Sequence, residues 1–171
     1  MLGQNSSPQF EKRLKTLVLG LGNPILSDDS VGFRVAQALK SRFDEEKVTV
    51  MESDLAGLSL LDLIVGYDRV ILIDSILTNR GKVGQIYRLE VEDFDATRHA
   101  ASTHDVNLAT ALELGKRLGL EIPKEIVIFA IEVQDVTTFS EKCTPEVEKA
   151  IPKAVEAVAR ELEGDAKNNA A

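Results

Sequence analysis

The stretch that most limits what this chain can become is Leu17 to Leu39, reading LVLGLGNPILSDDSVGFRVAQAL. It opens with Leu17, Val18 and Leu19, an apolar run bounded by glycine that suits a strand buried on both faces. Gly20-Leu21-Gly22-Asn23-Pro24 is dense in turn formers, and Ser27-Asp28-Asp29-Ser30 supplies several possible N-caps. Val31, Val35, Ala38 and Leu39 follow at helical spacing. The stretch reads as strand, loop and helix, with two carboxylates where the helix begins.

A Gly-x-Gly at such a junction suggests a dinucleotide site, but the fingerprint requires a third glycine where this chain has Ile25. Two carboxylates at the helix N-terminus would also repel a pyrophosphate. Acidic groups there are better placed to receive a cation. The alternative is that Asp28 and Asp29 only cap the helix and complement its dipole, and one of the two can do that alone.

The rest of the chain sets the frame. Its 171 residues suffice for one domain, 1–171, with a sizeable core. With 28 acidic against 20 basic side chains the net charge is −8, which disfavours a nucleic-acid surface. The single cysteine, Cys143, has no partner for an internal disulfide and fits a reducing compartment. No apolar run is long enough to cross a bilayer, and MLGQNSSPQFEKR lacks the apolar segment of a secretory signal. A cytoplasmic protein with no membrane partner is expected, with residues 1–13 and 164–171 as flexible extensions.

In chain order, Val48 to Met51 makes a second strand ending at Glu52-Ser53-Asp54, and Gly57, Leu58, Leu60, Leu61, Leu63 and Ile64 form an apolar helix face. Arg69 to Ile73 is a third strand, terminating in Asp74-Ser75. The link to the alternating strand Gln85 to Leu89 is too short for a crossover, so that fourth strand should run antiparallel to the third. Residues 92–103 are polar and aperiodic and read as a loop, ending at Thr103-His104-Asp105. Leu108, Ala109, Ala111, Leu112, Leu114 and Leu118 predict a helix stopped by Gly119, and Ile126 to Ile131 a fifth, fully buried strand. A loop through Thr137 and Phe139 leads to a last helix from Thr144-Pro145 to about Leu162. Strands alternating with helices predict an α/β fold, a three-layer α/β/α sandwich on a five-stranded mixed sheet with one antiparallel strand.

In such sheets ligands gather beyond the carboxyl ends of the parallel strands. That rule selects Asp29 after strand one, Asp74 at the end of strand three, and His104 at the start of the helix leading to strand five. Each has a plainer reading. Asp29 can cap a helix, Asp74 can cap a turn with Ser75, and His104 can bond a backbone carbonyl. Together, two carboxylates and an imidazole suit a divalent transition metal.

These motifs, in order, resemble those of the hydrogenase maturation proteases, the endopeptidases that trim the C-terminus of the large subunit of nickel–iron hydrogenases. The resemblance rests on the strand ending in Gly20-Leu21-Gly22-Asn23, and on Asp28-Asp29 before the small-x-Gly-x-Arg helix of Ser30-Val31-Gly32-Phe33-Arg34. Gly57-Leu58, the segment Ser102-Thr103-His104-Asp105 and Glu132-Val133-Gln134-Asp135 extend it. It implies a phosphorylase/hydrolase-like fold and a nickel-reading set of Asp29, Asp74 and His104, serving both as catalytic residues and as metal ligands. His99 is the competitor for the histidine role. It further implies a large-subunit precursor as partner, nickel supplied by that precursor, no tightly bound metal in the isolated protein, and a monomer. The rival enzymatic reading is a peptidyl-tRNA hydrolase, whose first strand also ends in Gly-Leu-Gly-Asn-Pro. That family wants a glycine at Ile25 and a histidine about ten residues on, and here no histidine precedes His99. A non-enzymatic nickel chaperone using the same three side chains is the other alternative.

Overall fold

In the computed structural model the described residues are 14–78, 80–98 and 107–168. The extension expected over residues 1–13 lies outside them. Five strands, β1 (Thr16–Leu21), β2 (Val48–Ser53), β3 (Arg69–Ile76), β4 (Ile86–Leu89) and β5 (Glu125–Glu132), form one sheet in the order β2-β1-β3-β5-β4. The first, second, third and fifth are parallel, and β4 alone runs antiparallel. The α/β class and the mixed five-stranded sheet are as the sequence predicts.

Helices cover both faces because the central strands are apolar on both. On one side Val18, Ile71, Ile73, Phe129 and Ile131 meet Val31, Val35 and Leu39 of α1 (Val31–Lys40) and Val147, Ala154 and Val158 of α5 (Pro145–Asn168). On the other, Leu17, Leu19, Val70, Leu72 and Ile128 meet Leu61 and Ile64 of α2 (Leu61–Ile64), Phe94 of α3 (Val91–Arg98) and Leu108 and Ala111 of α4 (Leu108–Arg117). Burying roughly ten such side chains per face contributes on the order of 2 kcal/mol each before conformational entropy is charged against it.

Three expectations need correction. Residues 91–98 are helical rather than loop. The apolar contacts of this helix are the buried Phe94 and the partly buried Val91, too few to give a readable period. Its hold comes from Asp95, which accepts the backbone N–H groups of Leu108 and Ala109 at the start of α4. The last helix runs on to Asn168, through residues assigned to a flexible extension, because Glu, Ala and Lys are good helix formers and a helix already nucleated propagates past Gly164. β3 continues through Ile76, so Asp74 lies inside the strand and opposite Ala130 of β5. β4 does run antiparallel to β3 as expected, and it is hydrogen-bonded to β5, which stands between them.

Smaller differences follow from exposure. Residues 57–64 split into a 3₁₀ turn (Gly57–Leu60) and the single turn of α2, with Leu58 exposed. Leu118 lies past the end of α4 and is also exposed, where Gly119 turns the chain at φ +73°.

Candidate active site

The site begins with the glycines of the opening motif, whose task here is close packing. A Cβ on Gly20 would collide with the backbone oxygen of Gly32, and one on Gly22, at φ +135°, with that of Asp29. The start of α1 and the 3₁₀ turn before it (Ser27–Ser30) therefore sit directly against the end of β1. Any side chain at either glycine would push the acidic pair away from the sheet.

The two neighbouring carboxylates then take different environments. Asp28 is fully buried and accepts four hydrogen bonds, from the N–H groups of Gln134, Asp135 and Thr144 and from the Thr144 hydroxyl. It ties the loop after β5 and the approach to α5 to the first helix. Asp29 turns the other way. Its Oδ2 accepts from the Asn23 N–H at 2.9 Å and its Oδ1 from the Ser75 hydroxyl at 3.0 Å.

Asp29 and Asp74 line one cleft of about 320 Å³, together with Leu21, Gly22, Asn23, Leu26, Leu60 and the exposed Asp54. Its place follows from the strand order. The chain leaves β1 toward β2 on one side and has β3 on the other, so the carboxyl ends of β1 and β3 flank the point where the topology reverses. The β1–β3 ladder stops at Gly20 opposite Ile73, while the β3–β5 ladder continues to Ile76 opposite Glu132. The last residues of β3 thus lose their β1 neighbour, and the Ser75 N–H bonds to Asp74 Oδ1 at 2.8 Å. Asp74 itself is 6% exposed.

His104, and its competitor His99, lie outside the described residues. Their segment is bracketed by α3 and α4, which Asp95 holds together. Since α4 leads back into a parallel strand, its first turn, capped by the Asn107 side chain on the Thr110 N–H, stands at the carboxyl edge of the sheet. Among the described residues no three His, Cys, Asp or Glu side chains are gathered closely enough to hold a metal ion.

A sequence model of the hydrogenase maturation protease family matches residues 33–161. The chain belongs to that family. It is 29% identical over 147 residues to the hydrogenase 2 maturation protease of Escherichia coli K12, covering 85% of this chain and 88% of that one. To the hydrogenase expression/formation protein HupD of Rhizobium leguminosarum it is 25% identical over 151 residues, 86% of this chain and 74% of that one. Among solved structures, the E. coli hydrogenase-maturating endopeptidase HybD superposes with a TM-score of 0.74 at 29% identity, covering 89% of this chain and 94% of that one. The hydrogenase maturation protease HycI of Thermococcus kodakarensis shares the fold, with a TM-score of 0.68 at 21% identity over 90% of this chain and 96% of that one.

For this protease the remaining reactive groups have structural duties. Cys143 is buried, with its Sγ 3.4 Å from the Ser30 hydroxyl, and burial pushes the thiol pKa up, away from a nucleophilic thiolate. Glu132, 1% exposed, accepts from the Thr78 N–H and hydroxyl and from the Tyr87 hydroxyl, so it fixes the connection between β3 and β4. Burial, and then the Glu132 charge, raise the Tyr87 pKa. Sequence reasoning missed two residues, Asp54, which lines the cleft, and Ser75, which bonds both Asp29 and Asp74. The rule that selected Asp74, a polar residue at the carboxyl end of a parallel strand, would have found both.

Proposed function

We propose that this protease removes a C-terminal extension from the large-subunit precursor of a nickel–iron hydrogenase after nickel insertion, and that the bound nickel is what it recognises. Asp29, Asp74 and His104 reach toward that metal, which arrives as part of the substrate. The observation that carries the reading is that Asp29 and Asp74, from distant parts of the chain, line a single cleft at the sheet's switch point.

The chemistry of the donors supports it. Among the described residues both hydrogen bonds to Asp29 come from neutral groups, so they leave its negative charge available to attract a cation presented by a partner. A carboxylate offers about four lone-pair positions, and the bonds that the described residues make to Asp29 use two of them. Oxygen donors from the protease, an imidazole, and soft donors from the precursor would together complete a mixed shell suited to nickel. Cutting near the metal then requires the scissile segment to lie beside the same carboxylates, where a general base is available. The lone thiol fits a reducing cytoplasm, where an unfinished large subunit would be met, and the protease acts as a monomer.

The test is incubation of nickel-loaded and nickel-free precursor with the wild-type protease and with Asp29→Asn, Asp74→Asn, His104→Ala and His99→Ala, read as shortening of the large subunit. Cleavage of the loaded precursor alone is expected, lost in the first three variants and retained in the last. Equal cleavage of nickel-free precursor would refute the reading, and an unshortened precursor bound to the wild type would instead mark a chaperone.

A further inference from the structure

Ser75 stands between the two carboxylates and donates to both. Its hydroxyl reaches Asp29 Oδ1 at 3.0 Å, and its backbone N–H reaches Asp74 Oδ1 at 2.8 Å. Nothing in the fold requires a hydroxyl there. Alternation along β3 places Ile73 and Ile131 on the face toward which Ser75 projects, and both are buried apolar residues of the α1 and α5 layer. The position continues an apolar row and is occupied by a polar residue only where the row meets Asp29.

Rotation about its side-chain bonds would let Asp29 swing between the cleft and solvent. Two donors on separate elements, Asn23 on the loop after β1 and Ser75 on β3, hold its two oxygens and so fix the plane of the carboxylate. Removing the loop donor would alter the backbone, but the strand donor is a side chain and can be removed cleanly.

We propose that Ser75 is a positioning residue for metal recognition, which presets the Asp29 carboxylate and links its orientation to that of Asp74. This rests on the reading of the cleft given above. Hydrogen bonds that orient a metal ligand characteristically matter about 10- to 100-fold in metal affinity while contributing little to the fold.

The experiment titrates the full-length protein with Ni²⁺ alone and follows paramagnetic broadening of the amide signals of Asn23, Asp29, Asp74 and Ser75. Wild-type, Asp29→Asn, Ser75→Ala and Ser75→Thr proteins are compared, with thermal melts alongside. Weak, saturable broadening is expected in the wild type and its loss in Asp29→Asn. Ser75→Ala should raise the apparent Kd at least 10-fold with a melting temperature within about 3 °C of wild type, and Ser75→Thr, which keeps the hydroxyl on a strand, should bind as wild type does. If Asp29→Asn loses binding while Ser75→Ala keeps it, or Ser75→Thr binds no better than Ser75→Ala, the role of Ser75 is overturned and the reading of the cleft stands. If the wild type shows no broadening at the cleft, or Asp29→Asn binds normally, both are overturned.

Discussion

The two ends of the central sheet treat negative charge in opposite ways. At the amino end, Glu161 of α5 meets two guanidinium groups, Arg69 Nη2 at 2.8 Å and Arg88 Nε at 2.9 Å, and Arg69 also pairs with Glu125. At the carboxyl end, Asp29 meets an amide and a hydroxyl among the described residues, and Asp54 and Asp74 line the same cleft. The first end uses charge to fasten α5 onto β3 and β4. The second gathers acidic side chains around a cleft, where an approaching cation would be attracted. On the proposed reading, stability and recognition fall on opposite edges of one sheet.

The comparison breaks most visibly if carboxylates at the two ends are neutralised in turn. Asp29→Asn and Asp74→Asn should each lower processing of nickel-loaded precursor by about 100-fold or more while leaving the melting temperature within a few degrees, because residues that serve one metal act as a unit. The double variant should be no worse than the poorer single one. Glu161→Gln should process normally. A variant of Asp29 that loses stability in proportion to activity would place this carboxylate with the structural ones.

A sharper contrast lies between adjacent residues. Asp28→Ala would leave four part-buried donors without their acceptor, at Gln134, Asp135 and Thr144. Each such loss costs about 1 kcal/mol or more, so a destabilisation of roughly 3 kcal/mol is expected in urea unfolding. The loop carrying Asp135 and Thr137 should loosen, seen as faster amide exchange there. Unchanged stability would show that these donors find other acceptors.

This division of labour was only partly written in the sequence. The strands were legible because a buried parallel strand is an unbroken apolar run, as in Leu17–Leu19, Val70–Ile73 and Ile126–Ile131. Asp29 and Asp74 were legible because charged residues at the ends of such runs are conspicuous, and the closing rule for α/β sheets says where they meet. What separates Asp28 from Asp29 was not legible. The donors that claim Asp28 lie more than a hundred residues away, and no local pattern announces them. α3 escaped for a related reason, since its hold on the protein is the tertiary contact of Asp95 with α4 rather than an apolar stripe. The place of β4 beside β5 likewise reflects a pairing across the sheet that no short link could disclose.

The smallest effect is expected at the amino end, and pH reveals it. Glu161 is held below the ordinary carboxyl value of 4.5, chiefly by its hydrogen bonds with Arg88, with partial burial opposing them and the Arg88 and Arg69 charges adding to them. The same contacts push the Arg88 guanidinium pKa up. A carboxyl whose pKa is lower in the folded state adds stability that is complete above its unfolded value and is lost as pH falls through the native one. Glu161→Gln should therefore cost about 1 kcal/mol at pH 7, the scale of a partly exposed ion-pair network. That deficit should stay level down to about pH 5, then shrink as the wild-type carboxyl takes up its proton and becomes equivalent to the amide. Urea unfolding of both proteins at pH 7, 5 and 3 measures it, and the other carboxylates cancel in the difference. A gap that persists undiminished at pH 3 would mean that Glu161 holds α5 through packing of its stem, and that the charge at this end of the sheet is incidental.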